Sequence, residues 1–420
     1  MKNKTSADPA ANRPVKLLQF GDNAFSRAFF GRLLQTANES GQACANSIII
    51  RDEKAAKGQK QYNVYTVHAA DKSEREDIRI DSVTRVLDPF TEYEQLLSLS
   101  DDTNISVILW APAAPVTFSA EKMKKTPQNA AAQLTMLLFR RFCLERRGFI
   151  IVPTADTDNN GEELKNCILR YSEHWKLGID FINWLNLENT FCNTVAESLA
   201  DSSSVSSGSL EIFTEKYLRL VLSAKKDIRA QLPFRDQVLW ADDIQPYRTM
   251  KKRVYDGALT VSAAYAVLHD VETAADFTSR PRLVKHMTVS VFEEIVPTVD
   301  MNFEEIEIYA LDTIRRLSNP YIKILWKELL PGIAGNFAEN VLPVFKEYQR
   351  QYQQLPKHLI FSLFCILQVY RIYDIHDSFS AVLSQEETPQ ILAHKELWGQ
   401  DLSYLTEEIK RYEARLQSAT

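Results

Sequence analysis

Short apolar runs, each followed by a long connection, dominate the first half of the chain and restrict what it can fold into. The runs are Val15 to Phe20, Ser47 to Ile50, Ile105 to Trp110 and Phe149 to Val152. Short apolar runs bounded by turn residues are typical of buried strands. Because the connections between them are long and partly helical in pattern, they favour parallel strands covered by helices on both faces. We therefore predict an α/β fold built on a mainly parallel sheet.

The second half of the chain has only helical periodicity. The helical segments of the sequence are Ala24 to Leu34, Thr91 to Leu99, Glu162 to Trp175, Gly178 to Leu187, Thr190 to Leu199, Lys251 to Leu268, Phe303 to Leu317, Pro343 to Gln353 and Leu402 to Leu416. A last strand is predicted at Gln237 to Trp240, and the serine-rich stretch 201–209 is predicted to be a flexible loop. We divide the chain into a polar leader at 1–14, a sheet-containing domain at 15–240 and a helical domain at 241–420.

Charge and composition exclude several classes of protein. Lys and Arg total 49 against 55 for Asp and Glu, so the net charge of -6 gives no attraction to nucleic acid or to an anionic membrane surface. The first fourteen residues are polar and lack the apolar stretch of a secretory signal. The five cysteines and seven histidines are scattered, without the spacing of metal ligands. We expect a cytoplasmic protein with no metal site and with no nucleic-acid or membrane partner.

The turn after the first apolar run is the first candidate for a ligand site. In doubly wound proteins a strand, a glycine-rich turn and a helix present backbone N–H groups to a dinucleotide pyrophosphate. Here the turn reads FGDNAFSR from Phe20 to Arg27 and holds a single glycine, Gly21. The pattern alone favours an ordinary strand-to-helix turn, with Asn23 as the residue that caps the helix.

Several blocks of the sequence resemble a known family. The segment FGDNAFSRAF from Phe20 is similar to the FGxGNFxRAF turn of the mannitol dehydrogenase family of polyol and uronate dehydrogenases, especially its tagaturonate reductase branch. Further blocks follow in the family's order: TRVLDP from Thr84, WLNLENTFCNT from Trp184, FEEIVPTVD from Phe292 and NPYIK from Asn319. The resemblance implies a Rossmann-like nucleotide-binding domain, a mostly helical substrate domain, no zinc, and NAD-linked interconversion of a sugar-derived alcohol and its ketone.

The family's catalytic signature, K-x-R-x-x-N-G-x-H after P-Y, is altered in this chain. Lys251, Arg253 and Gly257 match it, whereas Asp256 stands at the asparagine position and Leu259 at the histidine position. The resemblance implies that Lys251 exchanges the proton of the substrate hydroxyl, but Leu259 has no donor for an oxyanion. If Asp256 approaches Lys251, its charge favours the ammonium form and opposes the use of Lys251 as a base. Lys251 and Asp256 are the candidate catalytic residues, and a solvated basic helix face is the alternative.

The resemblance also supplies candidate cofactor-binding residues for NAD or NADP: Gly21, Asn23, Phe25, Arg27 and Asp52. Asn23 stands where the family has its second glycine. Asparagine tolerates the left-handed conformation better than most residues, but its side chain occupies space that the pyrophosphate uses. Asp52, just past the second apolar run, is a candidate acceptor for a ribose hydroxyl, and a solvated carboxylate at the end of a strand is the alternative.

Three further positions are candidates for contact with a small sugar acid or polyol: Asn193, Tyr247 and Arg253. A helix cap or turn former is the alternative for Asn193. Arg140 and Arg141 are interpreted as a solvated helix face. The sequence leaves the oligomeric state open.

Three hypotheses for the function remain open, and the first two belong to different classes. The first is an NAD-dependent oxidoreductase, similar to tagaturonate reductase, that interconverts a ketone and a secondary alcohol on a hexuronate or polyol with Lys251 as acid and base. The second is a catalytically impaired relative that keeps the fold as a binding or regulatory scaffold, because the departures from the family fall at the chemistry. An active enzyme with an altered substrate, in which Asp256 takes a new role, is a third possibility.

Overall fold

Strands and helices are segregated along the chain. The computed structural model describes residues 13–54, 60–123, 125–201, 204–206 and 208–419. The chain divides into two units, Met1–Ile244 and Gln245–Thr420, and every described strand lies in the first. All but the last two residues of the predicted leader, 1–14, lie outside the described residues.

The first unit is organised around a six-stranded parallel sheet with the order β5-β2-β1-β6-β7-β8. The strands of the unit are β1 (Val15–Phe20), β2 (Asn46–Ile50), β3 (Tyr65–Ala70), β4 (Arg75–Ile80), β5 (Val83–Leu87), β6 (Val107–Trp110), β7 (Ile150–Pro153), β8 (Thr190–Phe191), β9 (Asn193–Glu197), β10 (Ser204–Ser206), β11 (Ser209–Glu215), β12 (Arg219–Ser223) and β13 (Val238–Trp240). The predicted α/β fold, a Rossmann-like, mainly parallel sheet followed by a mostly helical region, is confirmed.

Helices cover the sheet and form the second unit. They are α1 (Ala24–Glu39), α2 (Tyr93–Ser98), α3 (Ala130–Cys143), α4 (Asn160–His174), α5 (Ile179–Glu188), α6 (Gln245–Met250), α7 (Gly257–Val267), α8 (Ala274–Ser279), α9 (Pro281–Val289), α10 (Phe303–Leu317), α11 (Ile333–Asn336), α12 (Leu342–Tyr352), α13 (Lys357–Ile372), α14 (Ser380–Gln385), α15 (Thr388–Ala393), α16 (Lys395–Trp398) and α17 (Thr406–Ala419). In the described part of the chain, no helix combines the length and the apolar character that crossing a bilayer requires.

Both faces of the parallel sheet are buried, which explains its continuous apolar runs. Successive side chains of a strand point to opposite faces. Leu18 of β1 belongs to a core with Ile108 and with residues of α3, α4 and α5, whereas its neighbour Leu17 packs with Val107 and with residues of α1. A strand buried on both faces has no polar alternation, so β1, β2, β6 and β7 were recognisable in the sequence.

Two smaller sheets were not predicted. One has the order β10-β11-β3-β4 and the other β13-β12-β9. The predicted helix Thr190 to Leu199 is wrong, because this segment forms β8 and β9, which pair with β7 and β12. The serine-rich stretch predicted as a flexible loop, 201–209, differs as well: β10 pairs with the start of β11, and positions 202, 203 and 207 lie outside the described residues.

Three helical stretches of the second unit widen into π-helix. They are Lys251–Asp256 between α6 and α7, Ser290–Ile295 after α9, and Phe337–Val341 after α11. In a π-helix the backbone hydrogen bonds run from residue i to i+5, and such turns are frequent at functional sites. The first stretch contains both candidate catalytic residues.

Candidate active site

The turn between β1 and α1 is held against the end of β6. Gly21 has φ +112°, a conformation that favours glycine, and its N–H donates to the carbonyl of Ile50. A Cβ atom at Gly21 would lie 2.1 Å from the carbonyl oxygen of Ala111, the residue that follows β6. The single glycine of the turn is therefore required by both its backbone conformation and this close approach.

Asn23 caps α1 rather than adopting the left-handed conformation. Its backbone is extended, with φ -117° and ψ 167°, and its Oδ1 accepts a hydrogen bond from the N–H of Ser26. Its Nδ2 donates to the carbonyl of Ala111 at 2.8 Å. Among the described residues, the N–H groups of Ala24 and Phe25 have no acceptor. Two orphan amides at a helix N-terminus are a ready site for an anion.

Two carboxylates and two guanidinium groups surround the turn. Asp22 accepts from Nε of Arg27 at 2.5 Å and lies 3.3 Å from Nε of Arg51. Asp52 accepts from the N–H of Asp22 at 3.0 Å through Oδ1 and from the N–H of Ala113 at 2.6 Å through Oδ2. Asp52 is therefore a bridge between two loops, which neither sequence interpretation anticipated.

The two remaining cofactor candidates pack into the first unit. Arg27 is buried, donates to the carbonyl of Tyr62 and lies over the ring of Tyr65, 4.9 Å from its centroid. Burial raises the pKa of Tyr65 to about 12, so this hydroxyl stays protonated and donates to the carbonyl of Arg27. Phe25 is half-buried and stacks on Phe29, with ring centroids 5.1 Å apart. Both side chains thus fix the first turn of α1.

Lys251 and Asp256 form an ion pair on the first π-helical stretch. The Nζ of Lys251 lies 3.1 Å and 3.3 Å from the two carboxylate oxygens of Asp256, and the side chains are 12% and 25% exposed. In an α-helix, residues five apart project about 140° from one another. Because the π-helical turn is wider, it brings these two positions to one side of the helix.

The neighbours of Lys251 attach the same stretch to the third π-helical stretch. Lys252 lies 2.8 Å from the Oε1 of Glu339, and Arg253 donates to the carbonyl of Glu339. Burial lowers the pKa of Arg253, although its guanidinium remains the positive form at neutral pH. Tyr247 lies on α6, four residues before Lys251, and is half-buried. Arg253 therefore has a structural partner in addition to its predicted contact with substrate.

Asn193 and Arg141 have structural partners in the first unit. Asn193 is the first residue of β9, and its Oδ1 accepts the N–H of Gly161 at the start of α4. The interpretation of Arg141 as solvated is wrong, because its buried guanidinium donates to the carbonyls of Ser100, Asp102, Ile105 and Arg147. Arg140 is exposed as expected.

The structure places most of the predicted site residues in two groups, one in each unit, whereas Asn193 lies on β9 and Tyr247 on α6. The turn, Asp52 and the segment after β6 form the first group, whereas Lys251, Arg253 and Asp256 share one π-helical stretch in the second. Within the described residues there is no group of three or more His, Cys, Asp or Glu side chains that could hold a metal ion.

Comparison with known protein families gives a match over the first unit. A family model described as the mannitol dehydrogenase Rossmann domain matches residues 15–234. The chain belongs to the mannitol dehydrogenase family. The match spans the turn, Asp52 and every strand of the parallel sheet, so the resemblance noted in the sequence is confirmed.

Altronate oxidoreductases of two bacteria align with nearly the whole chain. The altronate oxidoreductase of Bacillus subtilis (strain 168) is 27% identical over 96% of this chain and 92% of its own length. The altronate oxidoreductase of Escherichia coli O7:K1 is 26% identical over 94% of this chain and 92% of its own length. The second unit is thus included in the similarity.

Two solved structures share this fold. Mannitol 2-dehydrogenase of Pseudomonas fluorescens, in a ternary complex with NAD and D-mannitol, superposes with a TM-score of 0.73 at 13% identity, over 96% of this chain and 92% of that one. A D-sorbitol dehydrogenase in substrate-free form gives a TM-score of 0.77 at 13% identity, over 97% and 93% of the two chains.

Proposed function

We propose that this chain is an NAD-dependent oxidoreductase that interconverts a ketone and a secondary alcohol on a hexuronate or a polyol. The observation that carries the proposal is the pair of orphan amides, Ala24 and Phe25, at the N-terminus of α1. They lie beside the carboxyl ends of β1 and β6, where doubly wound folds bind dinucleotides. Their N–H groups and the positive end of the helix dipole suit the pyrophosphate, and Asp52 would accept a ribose hydroxyl.

The substrate class is proposed from the relatives. Two family members that align with nearly the whole chain are altronate oxidoreductases, which favours a sugar acid over an uncharged polyol. A carboxylate substrate requires a cation. Arg253 is the proposed contact, because its guanidinium is charged and the contact with the carbonyl of Glu339 uses one of its two Nη atoms. Asn193 and Tyr247 stay as proposed substrate contacts. The reducing cytoplasm is the proposed compartment, in keeping with five free cysteines.

Lys251 performs the proton transfer in this proposal. The bound nicotinamide supplies or accepts the hydride at the substrate carbon. In reduction, the ammonium of Lys251 gives a proton to the carbonyl oxygen as it becomes an alcohol. In oxidation, Lys251 must begin as a neutral amine and accept the hydroxyl proton. Because the carboxylate of Asp256 stabilises the ammonium form, we infer that the state needed for reduction is already formed, whereas oxidation first requires Lys251 to lose a proton within this ion pair.

A ligand titration followed by kinetics tests this proposal. Saturation with NADH or NADPH at about 100 times the dissociation constant should raise the free energy of unfolding by about 2.7 kcal/mol. Reduction of tagaturonate, fructuronate and fructose is then followed by the loss of NADH absorbance. Lys251→Ala should lower the rate by about 10²–10⁴-fold, as expected for loss of a general acid.

Lys252→Ala is the matched control, because it removes an adjacent lysine that pairs with Glu339. It should leave the rate within a few-fold of the native protein. No stabilisation by either nucleotide would refute the dehydrogenase function, and equal rates for Lys251→Ala and the native protein would exclude Lys251 from the mechanism.

A second function, a catalytically impaired scaffold, is favoured by one observation. The ammonium of Lys251 is already paired with Asp256, and the half-buried Leu259, one turn further on, offers no donor to an oxyanion. Under this alternative the nucleotide binds without turnover. The double variant Asp256→Asn with Leu259→His should then gain activity, and loss of activity in that variant would argue for an active enzyme that uses Asp256.

A further inference from the structure

The strand order of the parallel sheet defines one crevice. The chain leaves β1 for β2 on one side, whereas β6 lies on the other side of β1 in register from Leu17↔Val107 to Phe20↔Trp110. In open α/β sheets, ligands bind outside the carboxyl ends of the strands at such a reversal. The turn after β1 and the segment after β6 are the two walls of this crevice.

Asn23 connects these two walls. Its side-chain Oδ1 is fixed on the α1 side by the N–H of Ser26 at 2.9 Å, and its Nδ2 donates across to the carbonyl of Ala111 at 2.8 Å. Capping of α1 requires only the oxygen. The amide nitrogen therefore makes an additional contact, between residues 88 positions apart in the sequence.

Asp52 makes a second connection beside the first. One carboxylate oxygen accepts from the N–H of Asp22 in the turn, and the other accepts from the N–H of Ala113 after β6. Both side chains thus join the same two segments. Asp22, Asn23, Ala111 and Ala113 belong to the two walls themselves, whereas Asp52 contacts both walls from the segment after β2.

We propose that Asn23 and Asp52 form an internal strap across the dinucleotide crevice, and that the bond from Asn23 to Ala111 must break before a dinucleotide binds. This inference rests on the proposed function. A glycine at such a turn position lets the pyrophosphate approach the backbone, whereas here the asparagine side chain spans that path. Asn23 consequently limits affinity for the dinucleotide while it stabilises the ligand-free protein.

A serine at residue 23 separates the strap from the helix cap. Asn23→Ser keeps an oxygen that can accept from the N–H of Ser26 but removes the nitrogen that reaches Ala111. Asn129→Ser is a matched control: Asn129 caps α3 through its Oδ1 and donates through its Nδ2 to the carbonyl of Thr117, so it loses the same kind of contact away from the crevice.

Calorimetric titration of the full chain with NADH gives the first measurement. The strap predicts that Asn23→Ser binds NADH at least ten-fold more tightly than the native protein, and that Asn129→Ser binds it like the native protein. Equal or weaker binding by Asn23→Ser, with measurable binding by the native protein, overturns the strap and leaves the proposed function intact. No binding by any of the three proteins at millimolar NADH overturns both.

Hydrogen exchange without ligand gives an independent measurement. The strap predicts faster exchange of the backbone amides of Ala111 and Ala113 in Asn23→Ser than in the native protein, with no change in Asn129→Ser. Pro112, between them, has no N–H to exchange. Unchanged exchange overturns the strap whatever the affinity. If Asn23→Ser does not fold, Asn23→Gly carries the same two predictions, because glycine is also accepted at helix N-caps.

Discussion

The close approach of Gly21 to Ala111 allows a stability prediction with an internal reference. Gly21→Ala adds a methyl group whose carbon would lie 2.1 Å from a backbone carbonyl oxygen, so one of the two segments must move. Gly178→Ala is the reference, since Gly178 also has a positive φ, +94°, but a Cβ there meets nothing within 4 Å. Both variants force alanine into an unfavourable backbone conformation, and only the first adds a collision.

The expected magnitudes follow from these two contributions. An unfavourable backbone conformation costs about 1–3 kcal/mol, and this part is common to both variants. Overpacking a well-packed site costs about 1–3 kcal/mol more, which Gly21→Ala alone should show. For a unit of this size, each kcal/mol corresponds to a Tm shift of about 2–4 °C.

Scanning calorimetry of the full chain measures the difference between the variants. Gly21→Ala should lower the Tm of the affected transition further than Gly178→Ala, by about 2–12 °C from the estimates above. Equal losses in the two variants would refute the reasoning, because they would mean that the contact with Ala111 contributes nothing and that Gly21 is retained only for its φ.

Two further predictions concern buried charges. Glu294 accepts two amides at the start of α13, and burial raises its pKa to about 7 from 4.5, so the folded state binds the proton more tightly than the unfolded chain. The free energy of unfolding should therefore fall by about 3 kcal/mol between pH 4.5 and 7 in urea titrations. Glu294→Gln should remove that slope. Glu293→Gln, at an exposed neighbour whose charge also raises the pKa of Glu294, should keep most of it. Equal slopes in Glu294→Gln and the native protein would exclude Glu294 as the cause. Arg141→Lys should lower the free energy of unfolding by about 2–4 kcal/mol, because one ammonium cannot donate to four carbonyls. The control Arg140→Lys, at an exposed position, should change it by no more than about 0.5 kcal/mol. An equally small loss in Arg141→Lys would contradict the role of Arg141 as a loop anchor.

The sequence predicted those parts of the fold that are buried on both faces. β1, β2, β6 and β7 are continuous apolar runs because helices cover both sides of their sheet. β4, with the sequence REDIRI, exposes most of its charged side chains at the edge of a small sheet, so no run marks it. Thr190 to Leu199 has spacing that also suits a helix, and pairing with distant strands decided its structure.

The candidate site was predictable in its residue types but not in its connections. The turn and Lys251 are recognisable through the resemblance to the mannitol dehydrogenase family, and the π-helical geometry brings Asp256 to Lys251. The π-helix itself has no signature in a single sequence. The contacts of Asn23 with Ala111 and of Asp52 with Ala113 join positions 88 and 61 residues apart, which periodicity and spacing do not encode.

The parallel pairing of β3 with β11 bears on how the protein is made. β3 ends at Ala70, and its partner β11 ends at Glu215. During synthesis one edge of β3 therefore stays unpaired until 145 further residues have been made. At about 5–20 residues per second this interval lasts about 7–30 s. An open edge beside buried side chains such as Tyr65 and Val67 is a template for pairing with other chains. Nascent chains that stall before residue 209 keep this edge open, and we therefore expect them to be prone to aggregation.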